Sequence, residues 1–96
     1  MLEQFVEKNP LDAFGCYGLA MECMKEGDIA VAETHFKQLI SGHAEYVAAY
    51  YQYGRMLAAG NRVAEARKIL AEGIVRAQQA GEDHARDELQ AALDEL

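Results

Sequence analysis

Apolar residues recur along this chain with the period of an α-helix. Cys16, Leu19, Ala20 and Cys23 stand at i, i+3, i+4 and i+7, and Ile29, Ala32, Phe36, Leu39 and Ile40 form a second such face. This is the spacing of amphipathic helices that each bury one side. The pattern then returns as a block. Leu2, Phe36 and Leu70 are 34 residues apart in turn, as are Phe5, Leu39 and Gly73, and Val6, Ile40 and Ile74. Cys16 recurs in the same way as Tyr50, Leu19 as Tyr53, Ala20 as Gly54, Cys23 as Leu57 and Ala32 as Ala66. Identities are few, but residue class is kept. A period of this length marks stacked helix pairs, none of which can bury its apolar face alone.

The punctuation between the stripes agrees. Gly27 suits the left-handed residue that closes a helix, and Asp28 is placed to cap the next one through its side chain. The counterparts 34 residues on are Asn61, the next-best left-handed residue, and Arg62, which offers no capping acceptor. The second turn is therefore expected to be the weaker, with its helix starting as early as Asn61. Nothing forces the helix that begins near Arg62 to stop before Ala80-Gly81, so it should be the longest. A final helix over 83–96 carries the stripe Ala85, Leu89, Ala92, Leu93 and Leu96, shifted by two residues from the repeat register. Six acids (Glu82, Asp83, Asp87, Glu88, Asp94, Glu95) are expected on its wet face, as a polar cap.

These residues resemble the tetratricopeptide repeat family: a 34-residue helix pair with a small residue in the first helix, Ala20 or Gly54, where the second helix crosses closely. Ala32 or Ala66 is the matching small residue on the partner helix, with Phe36 or Leu70 one turn on. The family's early aromatic is Cys16 in one copy and Tyr50 in the other, and its closing proline is present only as Pro10. The resemblance implies an all-α fold of about six helices, a right-handed α-α superhelix of tandem antiparallel hairpins. It divides a single domain, 1–96, into an N-terminal half-repeat helix (1–10), repeat 1 (11–44), repeat 2 (45–80) and a C-terminal capping helix (81–96).

Composition narrows the function. Within 96 residues, 51% hydrophobic, only one domain-sized core fits. Nine basic residues against 16 acidic ones give a net charge of −7, which disfavours phosphate backbones and anionic lipid. No apolar stretch approaches the roughly 20 residues of a membrane span, and Glu3 and Glu7 interrupt the start of the chain in a way a signal peptide would not. Neither a nucleic-acid nor a membrane partner is expected, and a cytoplasmic setting is. Cys16 and Cys23 lie two helical turns apart, roughly 10 Å, beyond disulfide reach, so both are expected as reduced, buried thiols. His35, His43 and His84 belong to no catalytic or metal-binding spacing. His35 is expected half-exposed and the other two solvated. No enzyme or cofactor signature appears.

What remains is a surplus of apolar surface. Phe14, Tyr17, Met21 and Met24 form a second stripe on a helix that already has one. The family's geometry implies that first helices line the concave side, so these four face inward with Ala48, Tyr51 and Arg55 of the next repeat. The implied function is a protein–protein interaction module, adaptor or chaperone-like, that holds a partner's peptide or helix in this groove. Tyr supplies area and a hydroxyl, Met adapts its shape, and Arg55 pairs with a partner carboxylate. Family members that grip a heat-shock chaperone's C-terminal carboxylate use Lys and Asn at these positions. Here Tyr17, Met21 and Arg55 stand there, so that clamp is not expected. The alternative is a homodimer that buries the same stripe, and a third reading, a metal or thiol site, rests on the cysteines and histidines alone.

Overall fold

Five helices make up the described part of the chain, residues 12–96 of a computed structural model. They are α1 (Ala13–Lys25), α2 (Ile29–Gly42), α3 (Val47–Ala59), α4 (Val63–Ala80) and α5 (Asp83–Asp94), with no strand among the described residues. The helix expected over 1–10, with Leu2, Phe5, Val6 and Pro10, lies outside them.

Each of three turns closes its helix by one device. After α1, the Gly27 N–H donates to Met24 O and the Asp28 N–H to Cys23 O, with Gly27 at φ +85°. After α3, Asn61 at φ +65° repeats this, its N–H donating to Ala58 O and the Arg62 N–H to Leu57 O. After α4, Gly81 at φ +70° does the same with Gln78 O, and Glu82 with Ala77 O. These paired bonds satisfy carbonyls that a helix end leaves orphaned, and they require a left-handed residue at the corner. The reading of Gly27 and Asn61 as left-handed therefore holds.

The expected capping difference does not. Asp28 occupies the N-cap of α2, but its side chain makes no cap hydrogen bond; its backbone serves both helices instead, its N–H closing α1 and its carbonyl opening α2 to Ala32 N. Arg62 is likewise the N-cap of α4, which starts at Val63 rather than Asn61, and its guanidinium meets the Glu65 carboxylate twice, at 2.8 and 2.7 Å. The second turn is as fully closed as the first. Asp12, the N-cap of α1, does cap through its side chain, accepting from Gly15 N at 3.2 Å. At the far end of α2 the closure differs, with His43 N–H donating to Leu39 O before a turn leads into α3.

The helices fall into two compact units, Met1–Tyr46 and Val47–Leu96. In the first, α1 packs on α2 through Cys16, Ala20, Ala32, Phe36 and Leu39, all buried. His35 is buried too, 3% exposed, contrary to the half-exposed position expected of it. Ala32, His35, Phe36 and Leu39 are i, i+3, i+4 and i+7 of one helix, so the histidine lies within the buried arc and not beside it. No buried side-chain nitrogen or oxygen is left without a partner among the described residues. Cys23, expected buried, is only half-buried.

In the second unit α3 packs against both α4 and α5. It therefore buries a wider arc than α1: Val47, Ala49, Tyr50, Tyr53, Gly54, Met56 and Leu57. Two glycines set how closely its neighbours approach. A Cβ on Gly54 would lie 2.6 Å from Leu70 Cγ, and one on Gly73 would lie 2.6 Å from Tyr50 Cβ and 3.0 Å from Leu89 Cδ2. At the equivalent positions of the first unit Cys16 stands for Tyr50 and Leu39 for Gly73, so a small–large pair has become a large–small one.

Candidate binding surface

One strip of α3 is left uncovered by its neighbours. Ala48 and Arg55 are exposed and Tyr51 and Gln52 half-buried, at spacings of three and four that put them on one face. The Arg55 guanidinium stands over the Tyr51 ring, 5.4 Å from its centroid, a contact worth about 0.5–1 kcal/mol at such an exposed site. Arg55 makes no ion pair among the described residues.

Opposite this strip runs α5, and between them are two hollows. The larger, about 440 Å³, has Tyr51, Arg55 and Ala58 of α3 on one wall and Glu88, Ala92 and Glu95 on the other, with Gly54 and Leu70 at its floor. The smaller, about 290 Å³, takes Val47, Ala48, Tyr51 and Gln52 from α3, and Glu82, Ala85, Glu88 and Leu89 from α5 and its N-cap. Tyr51 and Glu88 border both.

The part α5 plays was missed in the sequence. Its acids were assigned only to solubility, whereas Glu82, Glu88 and Glu95, though exposed, form walls of the hollows. The signal was present: Ala85, Glu88 and Ala92 recur at three and four, a face of small and acidic residues next to the buried Leu89. Arg62, the N-cap of α4, pairs with Glu65 in its first turn, and Arg67 reaches the Leu96 carbonyl oxygen, just past the end of α5, 2.9 Å away.

The first unit carries the other predicted residues. Phe14 is 78% exposed, while Tyr17, Met21 and Met24 are half-buried. Tyr17 has a partner that the sequence did not reveal: its ring lies 5.4 Å from that of Tyr46, tilted by 43°. Burial raises the Tyr46 hydroxyl pKa, and the neighbouring Tyr17 adds to the rise.

Cys16 donates through Sγ to His35 O at 3.4 Å, and burial, then the Asp12 carboxylate, push its pKa up. The Cys16 and Tyr46 pKa values are both raised by folding, so their contribution to stability is full below the unfolded-state pKa and is lost as pH rises through the folded one. Melting temperature is therefore expected to fall above about pH 8.5, and less steeply in Cys16→Ala. Parallel profiles for wild type and variant would show that the thiol has no part in the decline. His43 is half-buried, its Nδ1 3.7 Å from Glu45, and His84 is almost fully exposed. Among the described residues no three His, Cys, Asp or Glu side chains are grouped to hold a metal, and no helix is long and apolar enough to cross a membrane.

Helix pairs closed by left-handed corners, small residues at the crossings and an uncovered first-helix strip define a helical-repeat scaffold. A model of the tetratricopeptide repeat matches residues 24–93, and the chain belongs to that family. It is similar to a tetratricopeptide repeat domain protein from Salinibacter ruber in two solved structures. The solution NMR structure is 31% identical with a TM-score of 0.83, over 91% of this chain and 88% of that one. The crystal structure is 30% identical with a TM-score of 0.80, over 86% and 92%. No curated protein matches the chain. The family is a repeat scaffold without catalytic machinery of its own, and its domains generally bind other proteins.

Proposed function

We propose that this chain is an adaptor or chaperone-like module that docks a peptide or helical segment of a partner protein, and that in the second unit the segment lies along Ala48, Tyr51 and Arg55. The observation that carries this is the uncovered strip itself. Helix α3 is buried round most of its circumference, yet it leaves the Tyr51 ring bordering two open hollows and, braced over it, the Arg55 guanidinium, which lines the larger and makes no ion pair among the described residues. The ring offers contact area with few rotamers to freeze, and the guanidinium a donor for a partner carboxylate. The stripe Phe14, Tyr17, Met21 and Met24 serves the same role in the first unit. The repeat boundaries 11–44 and 45–80, a half repeat before them and a cap after them belong to this reading. So does a cytoplasmic setting, which the two free thiols favour.

Affinity capture from the source lysate, wild type beside Tyr51→Ala/Arg55→Ala, is expected to retain a partner that the variant loses. Amide shifts on adding that partner should then cluster at Ala48, Tyr51, Arg55 and Glu88. Shifts confined to the exposed face of α4, around Lys68 and Val75, would overturn the placement. Sedimentation at two protein concentrations separates the rival reading: a dimer that Tyr17→Glu dissolves would make the stripe a self-association surface.

A further inference from the structure

The smaller hollow has a character of its own, and we infer that it receives a lysine or arginine side chain of the docked segment. The inference rests on the docking reading above. About 290 Å³ falls just below the roughly 300–1,000 Å³ of ligand sites, too small for a folded element and suited to one long side chain. Its walls offer what such a side chain needs. Ala48, Ala85 and Leu89 give apolar surface for a methylene stem, and Tyr51, whose ring already carries Arg55 over it, lines the same hollow. Among the described residues, Glu82 and Glu88 are the only ionised groups that line it.

Those carboxylates are available. Among the described residues Glu82 makes no side-chain hydrogen bond or ion pair, and Glu88 meets only His84, at 3.7 Å, which is almost fully exposed and does not line the hollow. An apolar occupant would strip water from two carboxylates and return no partner, and an acidic one would add a like charge. A cationic occupant avoids both costs. Arg55, the one cation on the strip, lines the neighbouring hollow across Tyr51, so it turns a second cation toward Glu82 rather than toward its own side. The net charge of −7 draws basic segments to the whole molecule.

The test is a chemical-shift titration of the full chain with N-acetyl-arginine amide beside the neutral N-acetyl-citrulline amide, at low and at high salt. The arginine probe is expected to shift Val47, Ala48, Tyr51 and Leu89 saturably and to bind about fivefold tighter than the citrulline probe at low salt. The preference should vanish at high salt and in Glu82→Gln/Glu88→Gln, whose exposed substitutions leave the helical circular dichroism unchanged. Equal binding of both probes at these residues would overturn cation selection while leaving a docking surface there. Arginine shifts that centre on other residues, or that survive the double substitution, would overturn it as well, as would the lack of any saturable shift. Failure of the docking reading shows separately, as a captured partner that Tyr51→Ala/Arg55→Ala does not release.

Discussion

Gly73→Leu is expected to unfold the second unit, or to lower its urea midpoint by more than the about 1–3 kcal/mol typical of an overpacked core. Helix propensity alone argues the other way, since glycine inside a helix costs about 1 kcal/mol relative to alanine. Position decides the sign. A first carbon added at Gly73 meets Tyr50 Cβ at 2.6 Å, an atom fixed directly to the α3 backbone, and Leu89 closes the other side. The contact can be relieved only by moving a helix. Gly18, exposed on α1 with nothing within 4 Å among the described residues, is the control: Gly18→Ala should stabilise by about 0.5–1 kcal/mol. Adding Tyr50→Cys to Gly73→Leu recreates the residue pair of the first unit and should recover part of the loss. It should not recover all of it, because Leu89 still stands in the way. A Gly73→Leu protein as stable as wild type would show that α4 can slide away from α3.

Phe36→Ala is expected to cost about 3–5 kcal/mol, a large part of the roughly 5–15 kcal/mol that holds a domain folded. The ring is fully buried between Ala32 and Leu39 on the inner face of α2. Its removal loses transfer free energy and leaves a hole that neighbours tied to helix backbones cannot fill. Phe36→Leu, which installs the residue found at position 70, should cost far less. Urea unfolding followed by circular dichroism measures both, and similar midpoints for the two variants would mean that the core collapses around the smaller residue.

How far the molecule could be read from its sequence follows from what periodicity contains. A 34-residue repeat identifies positions that share an environment, so Ala20 with Gly54, Ala32 with Ala66 and Phe36 with Leu70 were assigned to the core correctly, and Gly27 predicted the left-handed Asn61. Spacing on one helix does not say how many neighbours that helix has. Cys23 and Leu57 are equivalent by period, yet only Leu57 is buried. The two hollows were hidden for the same reason. They exist only when α5, which has slipped out of the repeat register, is set against α3. Arg55 and Tyr51 could be picked out as residues in excess of a core, whereas Glu82 and Glu88 resembled any solvated acids.

The three left-handed corners have a kinetic consequence. Each joins two helices through a turn of a few residues, so the chain closes only short loops to bring α1 onto α2, α3 onto α4, or α4 onto α5. Loop closure of that length costs little entropy, and low contact order of this kind places folding in the microsecond to millisecond range. A binding surface assembled from such hairpins is restored almost as soon as its local helices form.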